Sequence, residues 1–126
     1  MKSLKIMVVD DSAIMILTIT KILKDLGYNV VATARTGIDA INKHSIFKPD
    51  IITMDITMPD LSGVEAVKTI INIDPKALII MVTSQGQEQL VVDSIYSGAK
   101  AYILKPFTPE RLKETVKNVY EKYSAE

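Results

Sequence analysis

The sequence has no cysteine, so disulfides, thiolate metal sites and thiol catalysis are excluded. It has no excess charge of either sign, because fifteen basic residues cancel fifteen acidic ones. That balance counts against DNA or RNA as a partner, since nucleic-acid binders draw on a basic surplus. No apolar run approaches the roughly 18 residues of a membrane span. The opening MKSLKIMVVDD is too short in apolar residues for a signal peptide and lacks a small-residue cleavage site. A phosphate loop of the GxxxxGK type is missing as well, which argues against a nucleotide or flavin site. Internal repeats, low-complexity tracts and linkers are absent. The 126 residues suit a single domain, and 48% hydrophobic content is enough to build a core. A soluble, cytoplasmic, monomeric protein follows as the expectation.

What is present is an alternation. Candidate strands lie at 4–9, 28–34, 50–54, 77–82 and 101–104. The first, third and fourth are nearly continuous in apolar residues, as strands buried on both faces of a parallel sheet are. Between them run helical patterns at 12–26, 36–45, 61–72, 86–97 and 108–123. Their apolar stripes are Ile16, Ile19, Leu23 and Leu26 in the first, Val64, Val67 and Ile71 in the third, and Val91, Val92, Ile95 and Tyr96 in the fourth. The last carries Leu112, Val116, Val119 and Tyr123, with Thr108 as N-cap and Pro109 in its first turn. Five strand–helix units in strict alternation predict an α/β fold with a doubly wound five-stranded parallel sheet. The last helix runs nearly to the end of the sequence, so a single domain over 1–126 without a fused output domain is expected.

In such sheets functional groups gather at the carboxyl ends of the strands. The first strand ends in Asp10 and Asp11, the third in Asp55, the fourth in Thr83 and Ser84, and the fifth in Lys105. Three ionised carboxylates cannot share one edge unaided. One pair at 4 Å costs about 4 kcal/mol at an effective dielectric near 20, and one lysine cannot offset three charges. A divalent cation would. An all-oxygen donor set suits Mg²⁺, or Mn²⁺, better than Zn²⁺. The rest of the set fits phosphoryl chemistry: a carboxylate can attack phosphorus, while a lysine and a hydroxyl stabilise the oxygens. Taken singly, Asp11 or Ser12 reads as a helix cap and Asp55 as a strand end. Four strand ends with compatible groups make a stronger case together.

The segments VVDDS at 8–12, MDITMPDLSG at 54–63, VTSQG at 82–86 and AYILKPF at 101–107 resemble the receiver domain of two-component response regulators. The resemblance runs from Lys5 to about Tyr120. It implies the flavodoxin-like strand order 2-1-3-4-5. It also implies Asp55 as phospho-acceptor and Asp10, Asp11, Asp55 and the Thr57 carbonyl as metal ligands. Thr83, with Ser84 beside it, would be the switch hydroxyl, Lys105 the phosphoryl-pairing lysine and Tyr102 the aromatic switch, with a cis bond from Lys105 to Pro106. Within the family the sequence is similar to single-domain chemotaxis receivers of the thermophile and archaeal kind. That likeness implies a CheA-like histidine kinase as donor and a flagellar motor switch component or archaellar adaptor as target. It also admits a phosphatase acting on the phosphorylated receiver. The output face would hold Val91, Ile95, Tyr102, Thr115 and Asn118. Thr57 and Gln85 occupy positions that vary in the family and affect the lifetime of the phosphorylated state.

Two rivals share parts of this reading. A phosphorelay intermediate would use the same site and pass its phosphoryl group to a histidine phosphotransfer protein. A haloacid dehalogenase-like phosphatase also uses an Asp nucleophile with Mg²⁺, but it places a second Asp two residues on, where this sequence has Thr57. The expectation is a signalling protein and not an enzyme acting on a separate substrate. The remaining residues read more plainly. His44 is expected on a solvated surface, and Lys43, Lys48, Lys113, Lys117 and Lys122 on a solvated face. Asp60 and Glu65 read as exposed charges, and Met7, Met54 and Met81 as core filler. Gly63 is expected to supply a backbone geometry that other residues resist.

Overall fold

The computed structural model describes residues 3–124. The chain alternates β1 (Lys5–Val9), α1 (Ala13–Asp25), β2 (Asn29–Ala34), α2 (Gly37–Phe47), β3 (Ile51–Asp55), α3 (Gly63–Ile73), β4 (Ile79–Thr83), α4 (Glu88–Tyr96), β5 (Ala101–Leu104) and α5 (Pro109–Tyr123). All pairings are parallel, and the strand order is β2-β1-β3-β4-β5. This is the doubly wound, flavodoxin-like sheet that the alternation and the resemblance predict. β3 and β4 start one and two residues later than the candidate strands and each ends one residue later. Asp55 and Thr83 are thus the last residues of their strands and do not lie beyond them.

Strand alternation divides the core into two layers. Ile6, Val8, Ile51, Ile80 and Ile103 face α1 and α5, where Ile16, Ile19, Leu23, Leu112, Val116 and Val119 meet them. Met7, Val9, Ile52, Met54, Ile79 and Met81 face α2 and α3, with Ala40, Ala66, Val67 and Ile70. The three strand methionines are fully buried, as core filler should be. Four of the five helices begin at a hydroxyl cap, namely Ser12, Thr36, Ser62 and Thr108. Each accepts from a backbone N–H three residues on and satisfies one of the free donors of the first turn. Ser12, and not Asp11, is therefore the cap of α1.

Two expectations, those for His44 and Lys43, need correction, and one face of the sheet is open. The apolar stripe of α4 lies largely open: Val92, Ile95 and Tyr96 are exposed, Val91 is half-buried, and Ser94 is the one buried residue of that helix. On β5, Tyr102 and Leu104 lie on the sheet face opposite Ile103 and are exposed too. Their side of the sheet is left open beside α4. His44 is not solvated. Only 4% of it is exposed, and its Nε2 lies 3.0 Å from Asp74 Oδ2. Gly37, Ala40 and His44 are the buried residues of α2, so at that spacing His44 belongs to the stripe facing the core. Lys43 is half-buried, donating to the Thr33 carbonyl at 2.6 Å and pairing with Asp39 at 3.0 Å. Lys113, Lys117 and Lys122 are exposed, and Lys48 is exposed in the left-handed C-cap of α2 at φ 46°. No helix among the described residues is long and apolar enough to cross a membrane.

Candidate functional site

The parallel sheet brings the ends of β1, β3, β4 and β5 to one edge. β1 hands on to Asp10, which is almost fully buried, and then to exposed Asp11. Asp10 is fixed locally: its backbone N–H donates to Ala34 at 3.0 Å, and its Oδ1 accepts from Ser12 N–H at 2.9 Å. Asp11 is held by its backbone, since the Arg35 guanidinium donates to its carbonyl at 2.9 and 3.2 Å. Arg35 carries no signal in the sequence, because its contact lies 24 residues away in the chain.

Asp55 closes β3 with only 6% exposure. Lys105 follows β5, whose end is tied to β4 by a Lys105 N–H to Thr83 carbonyl bond of 2.6 Å. Its ammonium lies 3.0 Å from Asp10 Oδ2 and 3.6 Å from Asp55 Oδ1. The peptide bond from Lys105 to Pro106 is cis. One oxygen from each of Asp10, Asp11 and Asp55 lies within 4.8 Å of the others.

The loop after Asp55 is built tightly. Gly63, at the start of α3, is buried and does not use positive φ. A Cβ there would fall 2.5 Å from the Asp55 carbonyl oxygen and 2.8 Å from Ile56 Cα. Glycine is therefore needed for close approach and not for an unusual dihedral. Its N–H closes the loop on the Ile56 carbonyl at 2.5 Å. Asp60 is not a metal ligand in this arrangement. Its carboxylate accepts from the N–H groups of Ile38 and Gly37, both at 2.9 Å, at the start of α2. Those bonds, led by Ile38, hold its carboxyl below the usual range. Glu65 is exposed in the first turn of α3.

The electrostatics at Asp55 are unfavourable to charge. Burial first, and then the Asp10 carboxylate, push the Asp55 carboxyl up to about 6 from an ordinary 3.8. Lys105 pulls downward, and Asp11 adds a smaller push upward. Three carboxylates against one ammonium leave a local excess of negative charge that a divalent cation would neutralise. The donors are all oxygens, which matches Mg²⁺ chemistry. Asp10, Asp11 and Asp55 are the side chains able to hold it, and the Thr57 carbonyl lies in the adjacent loop.

Thr83 is buried at the end of β4, and its hydroxyl donates to Gln87 Oε1 at 2.9 Å. Ser84 is exposed, and its N–H donates to the same oxygen at 3.0 Å. Gln87 Nε2 in turn donates to Thr57 Oγ1 at 2.7 Å. Nothing in the sequence marks Gln87. Gln85, which the resemblance does mark, is exposed and makes no side-chain hydrogen bond among the described residues. Tyr102 is half exposed beside a groove of about 370 Å³ that Val91, Val92, Leu104 and Thr83 also line. Asn118 is exposed on α5. Thr115, expected on the output face, is 6% exposed and donates to the Arg111 carbonyl. It packs within the domain and offers a partner little surface.

This geometry has counterparts among known proteins. A family profile described as the response regulator receiver domain matches residues 6–117. The chemotaxis protein CheY of Thermotoga maritima is 43% identical over 115 residues, covering 91% of this chain and 96% of that one. CheY of Bacillus subtilis is 45% identical over 112 residues, covering 89% and 93%. Among solved structures, the CheX-CheY-BeF3-Mg complex of Borrelia burgdorferi matches with a TM-score of 0.88 at 34% identity, covering 93% of this chain and 89% of that one. A CheY-like receiver domain protein of Methanospirillum hungatei matches with a TM-score of 0.92 at 29% identity, covering 98% of both.

Proposed function

Because the chain belongs to the response regulator receiver domain family, we propose that it is a single-domain chemotaxis regulator switched by phosphorylation of Asp55. The observation that carries this is the meeting of Asp10, Asp11 and Asp55 within 4.8 Å, with the Lys105 ammonium beside two of them. A histidine kinase of the CheA kind presents a phosphohistidine. An oxygen of the ionised Asp55 carboxylate attacks phosphorus, and the bond from phosphorus to the histidine nitrogen breaks, leaving an acyl phosphate on Asp55. Asp10, Asp11, Asp55 and the Thr57 carbonyl would hold a Mg²⁺, which would supply positive charge to the phosphoryl oxygens. Lys105 moves from Asp10 toward those oxygens, and Thr83 turns its hydroxyl to a third. Burial of Asp55 keeps water away from the attack.

The output follows from what lies next to Thr83. The exposed apolar residues Val92, Tyr102 and Leu104 border the groove between α4 and β5, and Ile95 is exposed on the same helix as Val92. Binding of a phosphoryl group biases that region between two arrangements, and a motor component or adaptor reads the result. A CheX-type protein, as in the Borrelia complex, is a further partner of the phosphorylated form. The test is labelling by acetyl phosphate in the presence of Mg²⁺, followed by mass spectrometry. One added phosphoryl group on the wild type and none on Asp55→Ala is expected. Equal labelling of the two proteins would sink the reading.

A further inference from the structure

α4 is the one helix whose cap residue does not cap. Gln87 stands at that position with φ −115° and ψ 28°, and its side chain makes no bond to the first turn. The side chain is used elsewhere. Oε1 accepts from the Thr83 hydroxyl and from Ser84 N–H, and Nε2 donates to the Thr57 hydroxyl. The backbone N–H of Ser84 must meet an acceptor, so the amide is oriented with its oxygen toward β4 and its nitrogen toward the loop after Asp55. One half-buried side chain thus joins residue 57, two after the phospho-acceptor, to residue 83, at the end of the next strand.

The hydroxyl of Thr83 has one proton to give. It points at Gln87 Oε1, 2.9 Å away, with the Ser84 carbonyl as a longer contact at 3.2 Å. While it does so, it cannot donate to an oxygen on Asp55. We propose that Gln87 is a positioning residue that latches the unphosphorylated form, holding the Thr83 hydroxyl away from Asp55 and tying it to Thr57. The inference rests on the receiver reading above and adds to it a residue that sets the balance between the two forms. Breaking the Thr83–Gln87 bond becomes part of the cost of binding a phosphoryl group. The apparent affinity for that group falls by the fraction of molecules in which the latch is open.

Removing the amide removes that cost. Beryllofluoride, a phosphoryl mimic, can be titrated at saturating Mg²⁺ into the wild type and Gln87→Ala, with binding read by calorimetry and by the Thr83 amide and methyl resonances. Gln87→Ala is expected to bind about five-fold tighter, the effect of losing one ordinary hydrogen bond from the closed form. Affinity for Mg²⁺ alone should be unchanged, which a general distortion of the site would not leave so. Gln87→Met, similar in volume and without the amide, should match Gln87→Ala. Thr57→Val should tighten binding in the wild type and add nothing to Gln87→Ala, the coupling expected of one shared contact. Equal or weaker beryllofluoride binding by both Gln87 variants would overturn the latch and leave the receiver reading standing. No beryllofluoride binding by the wild type would overturn both.

Discussion

Two connections leave the same sheet edge, one from Asp55 into α3 and one from Thr83 into α4, and they are built differently. The α3 connection is closed at every point. Gly63 lies against the Asp55 backbone, Ser62 caps the helix, Asp60 bonds to the start of α2, and Gly63, Val64, Ala66, Val67 and Ile70 are all buried. The α4 connection has no such seal. It buries Ser94 alone, caps nothing with its side chain, and leaves Val92, Ile95 and Tyr96 in solvent. Few buried apolar contacts and an unsealed terminus mark the low-stability end of a fold. On the proposed function, the tight connection holds the residue that would stay in place to react, and the loose one holds the hydroxyl that would turn. Placing the two on neighbouring strands lets a change at Asp55 reach a segment that little else restrains.

The sharpest way to break this comparison is to damage the tight side. Ile70 is fully buried between α3 and the sheet, so Ile70→Ala should cost about 3–4 kcal/mol from lost transfer energy and the cavity left behind. Urea denaturation of wild type and variant measures it. A cost under about 1 kcal/mol would mean that α3 is no better docked than α4.

Much of this was legible in the sequence, for identifiable reasons. Alternating apolar runs and helical periods gave the sheet, and the strand ends gave Asp10, Asp11, Asp55, Thr83 and Lys105, because an α/β sheet exports the last residue of each strand to one edge. What escaped were features decided by contacts distant in sequence. Asp60 read as an exposed charge, which it is, but its bonds to Gly37 and Ile38 gave no signal because those partners are more than 20 residues away. Gln87 gave no signal because a glutamine before a helix is unremarkable until Thr57 is seen beside it, 30 residues back in the chain. The stripe on α4 is a different case: a 3.6-residue period shows that a helix has an apolar face, not that anything covers it. His44 was the reverse case. Its spacing from Gly37 and Ala40 already placed it on the buried stripe of α2, and its polar neighbours in sequence obscured that.

A second prediction uses the charge that the tight side holds. The folded chain keeps the Asp55 proton up to about pH 6, whereas an ordinary carboxyl loses it near 3.8. Below pH ~4 both forms are protonated and the difference costs nothing. As pH rises toward 6 the unfolded chain ionises first, so stability falls, and above that the full penalty applies. In EDTA at pH 7.5, Asp55→Asn should therefore be more stable than the wild type by about 2 kcal/mol. Each tenfold change in proton affinity is worth roughly 1.4 kcal/mol, and readjustment of Asp10 and Lys105 takes up part of the total. The gap should close as pH falls to 4, and Mg²⁺ should narrow it at pH 7.5 by stabilising the wild type. Thermal melts at several pH values would show it. A stability difference that does not change between pH 4 and pH 7.5 would mean that Asp55 is not strained by its surroundings.

The smallest effect belongs to the loose side and decides whether the contrast is real. Ile95 and Ile70 are the same residue type on two neighbouring helices, so their truncations differ mainly in what surrounds them. Ile95 is 42% exposed, and Ile95→Ala should change stability by about 0.5 kcal/mol or less, as surface substitutions do. Alanine's better helix propensity offsets part of the lost contact. Hydrogen exchange supplies the companion measurement: amides in the middle of α4 should exchange faster than those of α3 in the wild type, and Ile95→Ala should leave both rates nearly as they were. If Ile95→Ala instead costs as much as Ile70→Ala, α4 is packed as firmly as α3 and Thr83 is no freer than Asp55. The Gln87 amide could not then be a principal restraint on that side of the site, because burial would already hold it.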